Sequence, residues 1–116
     1  MKKTLIKNKP DSIVFIGYSP IINKLFDINK KKGIKSFLIT SPDQSKKLKE
    51  KIDHKVFERL NKKFEKFIKD NFSLEKTLFI SISSRWIFNK RNIKFFKNRL
   101  LNFHSSRLPY FKGGAT

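Results

Sequence analysis

Apolar residues in this chain fall into short continuous blocks separated by longer stretches with helical spacing. Ser12-Ile13-Val14-Phe15-Ile16-Gly17, Ile34 to Ile39, Thr77 to Ser83 and Leu100 to Phe103 read as strands. A strand covered by helices on both faces has no polar side, so its sequence does not alternate. Between the first two blocks, Ile21, Ile22, Leu25, Phe26 and Ile28 predict an amphipathic helix. Ser19 and Pro20 supply its N-cap and first turn, and Gly33 closes it. Thr40-Ser41-Pro42-Asp43 predicts a turn or a helix start, and the polar run 43–51 a solvated helix or loop. Val56 and Phe57 suggest a brief strand. Phe64, Phe67 and Ile68, spaced i, i+3, i+4, predict a helix from about Asn61 to Asp70. Asn89 is placed to cap a helix running through Ile93, Phe95 and Phe96.

Strands alternating with helices argue a doubly wound α/β domain with a mostly parallel open sheet, covering 12–116 behind a flexible lead-in at 1–11. Its β-α-β crossovers should be right-handed. A chain of 116 residues suffices for one small domain.

Composition narrows the functional classes. No apolar run of about 18 residues is present, so no transmembrane helix is expected. The basic start is interrupted by Lys7, Lys9 and Asp11, which argues against a secretory signal. Absence of cysteine excludes disulfides and thiolate metal sites and fits a reducing cytoplasm. His54 has no neighbouring partner that would make it a metal ligand. Net charge is +19, a field that attracts nucleic acid or other polyanions. Of the 28 basic residues only Arg59, Arg85, Arg91, Arg99 and Arg107 are arginine. Lysine, Ile, Asn and Phe all use A/T-rich codons, so genome composition is an equally good source of this charge.

The chemistry concentrates at the end of the chain. Asn102 and His104 are two residues apart at the carboxyl end of a strand, so both aim to one side of the sheet. An amide donor can hold a developing oxyanion while an imidazole beside it handles a proton. Pro109 and Gly113-Gly114 then turn the chain away. The run Asn102-Phe103-His104-Ser105-Ser106-Arg107-Leu108-Pro109, followed by Tyr110-Phe111-Lys112-Gly113, resembles the signature of the formyltransferases that use 10-formyltetrahydrofolate. Arg107 stands where that family usually has Leu.

The resemblance implies a Rossmann-type formyltransferase domain, here incomplete, with Asn102 and His104 as the catalytic pair. The implied donor is 10-formyltetrahydrofolate, and the acceptor an amine on methionyl-tRNA or an amino-sugar nucleotide. Ser84, Arg85, Trp86 and Ile87, which follow the Thr77 strand, map by position onto the family's pterin loop. That loop contacts the ring mainly through its backbone. For Trp86, packing beneath the loop is an equal alternative. Gly17-Tyr18-Ser19-Pro20 resembles the corresponding turn of the tRNA and sugar-nucleotide enzymes. As chemistry it reads either as an anion-binding helix start or as a plain capped βα turn, and the second is favoured. No Gly-x-Gly-x-x-Gly is present, so a dinucleotide fingerprint is missing. The family also carries a catalytic Asp well downstream of the His, and no aspartate follows His104 here. The chain therefore reads as a fragment, inactive on its own. The alternative reading is a non-enzymatic basic α/β module that binds RNA or another polyanion.

Overall fold

The structure is a computed structural model that describes residues 9–49 and 51–103. Five strands form one open sheet: β1 (Ser12–Gly17), β2 (Lys35–Thr40), β3 (His54–Val56), β4 (Thr77–Ile82) and β5 (Leu100–Phe103). Every pairing is parallel, and the order across the sheet is β3-β2-β1-β4-β5. The helices are α1 (Ile22–Lys31), α2 (Pro42–Ser45), α3 (Lys62–Asn71) and α4 (Lys90–Phe96). The chain is thus an α/β protein with a Rossmann-like, all-parallel sheet. Among the described residues, no helix is long and apolar enough to cross a membrane.

β1 lies at the centre, and all six of its residues are buried. Its side chains divide between two cores. Ile13 and Phe15 join Ile22, Ile34 and Leu38 on the α1 face. Val14 and Ile16 join Ile39, Phe64, Ile68, Phe79 and Phe96 on the face covered by α3 and α4. A block that reads as uniformly apolar is what two covered faces require. The second core is dominated by aromatic contacts, with Phe96 set against Phe79 at a centroid distance of 4.8 Å and against Phe64 at 6.0 Å.

Three expectations are revised. Ser19 does not cap α1. Its carbonyl accepts the Ile22 N–H at 3.0 Å and its hydroxyl the Ile21 N–H at 3.3 Å. The result is a β-turn with Pro20 at its second position, where the fixed φ of proline is favoured, and the helix begins only afterwards. The buried face of α1 also differs from expectation. Ile21 and Ile28 are 48% and 49% exposed, whereas Asn29 is buried. The helical repeat places Ile22, Leu25, Phe26 and Asn29 on one side, and Asn29 is satisfied by donating to Ser36 Oγ at 2.8 Å. Finally, the polar run after Ser41 is not wholly solvated, because Gln44 is buried.

The lead-in meets the sheet by Asp11, whose N–H donates to Lys76 O and whose carbonyl accepts from Lys35 N. Asn61 caps α3, accepting from Lys63 N and Phe64 N. Asn89 caps α4 through a reciprocal capping box with Asn92.

Candidate functional site

In an open parallel sheet, ligands bind beyond the carboxyl ends of the strands, where the strand order reverses. Here the chain passes outward from β1 through β2 to β3, then returns to the other side of β1 for β4 and β5. The reversal lies between β1 and β4. The segments that leave the sheet there are Gly17 to Pro20 and Ser83 to Phe88, with the end of β5 alongside.

Gly17 controls how closely the first two segments approach. Its φ is +117°, a conformation open to glycine, and a Cβ at this position would lie 2.2 Å from Ile82 O and 2.9 Å from Ser84 Cα. Tyr18 N donates to Ile82 O at 3.1 Å, which holds the two exits together. The space beside Gly17 is filled by the chain leaving β4, so the turn serves as a packing element rather than the capped βα turn favoured from the sequence.

The loop after β4 is held from several directions. Ser83 has φ +50°, left-handed for a residue with a side chain. Its N–H donates to Phe103 O at 3.2 Å, tying the loop to β5, and its carbonyl accepts from Gln44 Nε2 at 2.8 Å, tying it to α2. Ser84 Oγ accepts from Trp86 N at 3.0 Å. Arg85 forms an ion pair with Asp43 at 2.6 Å. The Ser41 hydroxyl, donating to Asp43 Oδ1 at 2.8 Å, is the main reason the Asp43 carboxyl lies below the usual range, with Arg85 adding to it. Strain that persists under several independent restraints is typical of a preformed site.

The residues proposed for the pterin therefore occupy different environments. Ser84 is half-buried beside the exit of β1, and the Arg85 guanidinium is engaged with Asp43. The Trp86 ring packs against the α3/α4 core and its Nε1 donates to Glu58 O at 3.0 Å. Ile87 is 93% exposed.

Asn102 is exposed near the end of β5, in register with Ser81 of β4. Paired residues of parallel strands share a face, so Asn102 lies on the side carrying α3 and α4. Ser81 Oγ, beside it, is buried and has no hydrogen-bond partner among the described residues. His104 and the rest of the motif through Thr116 lie outside the described residues.

Sequence reasoning did not identify Gln44 or Asp43 as supports of this loop. A buried Gln within a polar run has no periodic signature, and its partner is 39 positions away. No protein-family model, curated protein or solved structure matches this chain. What the geometry defines is a class: an α/β protein with a Rossmann-like parallel sheet and a braced loop at its strand-order reversal.

Proposed function

We propose that this chain serves a formyl transfer in which a formyl group moves from 10-formyltetrahydrofolate to an amine acceptor. The observation that carries the reading is the run Asn102-x-His104-x-Ser106-x-Leu108-Pro109 at the carboxyl end of a strand in a parallel sheet. The braced loop Ser83 to Ile87 at the neighbouring strand end supports it, since a backbone held in place suits a flat heterocycle recognised through peptide groups.

In this mechanism the acceptor amine attacks the formyl carbon and a carbon–nitrogen bond forms. The carbonyl oxygen takes up the electron pair, and Asn102 donates a hydrogen bond to that oxyanion. His104 stabilises the tetrahedral intermediate and assists proton transfer to the leaving nitrogen of the donor. The intermediate collapses as the bond from the formyl carbon to that nitrogen breaks. The acceptor amine gives up a proton as it becomes an amide. Methionyl-tRNA and amino-sugar nucleotides are the acceptor classes of the enzymes whose turn the Gly17 to Pro20 sequence resembles.

The test is formyl transfer by the full-length protein and its variants. Asn102→Ala should lower turnover by roughly 100- to 1,000-fold, the usual effect of removing an oxyanion donor. His104→Ala should be at least as damaging. Unfolding midpoints of both variants, measured alongside, separate a loss of chemistry from a loss of fold. Transfer at the parent rate in both would reject the reading.

The charge of +19 favours a second reading, a polyanion-binding module. It requires RNA binding with a steep salt dependence and no folate binding.

A further inference from the structure

A cavity of about 320 Å³ lies on the α3/α4 side, between the segment entering α3 and the loop after β4. Its size is within the range of small-molecule sites, roughly 300–1,000 Å³. Trp86 and Ile87 give it apolar walls, and Arg59, Asn61, Asn89 and Arg91 line its polar side.

The hydrogen-bonding capacity of this lining is strongly one-sided. Asn61 Oδ1 already accepts from Lys63 N at 3.1 Å and Phe64 N at 3.3 Å. Asn89 Oδ1 accepts from Asn92 N at 2.9 Å, and Asn92 Oδ1 from Asn89 N at 3.2 Å. Asn92 Nδ2 is used on Leu60 O at 3.0 Å. Capping therefore consumes the side-chain oxygens and leaves the Nδ2 groups of Asn61 and Asn89, both of them donors, uncommitted among the described residues. Arg91 is committed to Glu65 by two bonds of 2.9 Å. Arg59 is exposed and has no ion pair or side-chain hydrogen bond among the described residues, and no carboxylate lines the cavity. What remains for a ligand is an arginine fork, two amide donors, an indole and an isoleucine.

We infer that this cavity binds a small ring-bearing oxyanion, whose carboxylate or phosphate is held by Arg59 with the Asn61 and Asn89 amides and whose ring lies against Trp86 and Ile87. Arginine recognises such groups through paired, charge-assisted bonds. The site shares Trp86 and Ile87 with the loop mapped to the pterin, but Asn102 does not line it and the inference does not depend on that reading.

Trp86 is the chain's one tryptophan, so its fluorescence reports on this cavity directly. The full chain is titrated with phenyl phosphate, benzoate, inorganic phosphate and benzyl alcohol. The expected result is a saturable change with phenyl phosphate or benzoate, and a much weaker response to the phosphate or the uncharged ring alone. Arg59→Gln, at an exposed position that folding does not need, should weaken that response about tenfold or more. In nitrogen-edited spectra the side-chain amides of Asn61 and Asn89 should shift with the same saturation curve. Asn102→Ala should leave the titration unchanged, which separates this site from the formyl-transfer reading. No saturable response to either aromatic anion, equal binding by Arg59→Gln, or displacement by 5-formyltetrahydrofolate would overturn the inference.

Discussion

Single residues decide how tightly the candidate site is built, and Gly17 is the clearest of them. A side chain there meets both a left-handed φ and a carbonyl oxygen 2.2 Å from its Cβ. Gly17→Ala should therefore destabilise the fold by about 2–4 kcal/mol, as expected when backbone strain adds to a steric clash. Urea unfolding would measure this, and a loss below about 0.5 kcal/mol would mean that the β1 and β4 exits can separate freely. The sequence indicated a turn at Gly17 but not the reason for the glycine. The carbonyl it must clear belongs to Ile82, 65 positions later in the chain. The asparagine caps were legible because their partners are local, whereas Trp86 could be read either way because its partner is the carbonyl of Glu58.

At the scale of elements, α3 and α4 are joined by more than phenylalanine packing. Glu65 near the start of α3 receives two hydrogen bonds from Arg91 in the first turn of α4. Those bonds are the main cause of the depressed Glu65 pKa. A carboxylate whose folded pKa is lowered contributes stability above its unfolded pKa and loses it as pH falls through the folded value. Glu65→Gln should thus cost about 0.5–1 kcal/mol at pH 7, the modest worth of a partly exposed ion pair. The gap to the parent should narrow as the solution is acidified below the ordinary glutamate range. Unfolding curves at neutral and acid pH check this, and a gap that stays constant would assign the cost to packing instead. Element positions followed closely from hydrophobic period. The start of α1 did not, because Ser19-Pro20 forms its own turn before helical hydrogen bonding begins.

Over the whole molecule, charge and fold act in opposite directions. The net charge of +19 produces self-repulsion in the compact state, and the described residues contain three ion pairs to offset it. Added salt screens repulsion over the Debye length, about 10 Å at 0.1 M. The melting temperature at pH 7 should therefore rise between about 0.01 and 0.2 M sodium chloride. A falling melting temperature would show that the ion pairs outweigh the repulsion. Among the described residues the fold keeps every cation but the buried Arg99 outside two apolar layers, with Phe64, Phe79 and Phe96 fully buried in one of them.

The sequence by itself determined the kind of elements and the class of fold. Continuous apolar blocks can be buried only between two layers, and alternation of strand with helix leads to parallel pairing with crossovers. It also marked Asn102 as the end of a strand, since that depends on local pattern. The tertiary structure decided which strands are neighbours, and so where the order reverses and which loops meet. It decided that Gln44 and Asp43 hold the loop after β4, and that Arg59, without an ion pair among the described residues, lines the cavity beside Trp86. These depend on groups far apart in the chain, brought together by sheet order, and no local spacing encodes such a meeting.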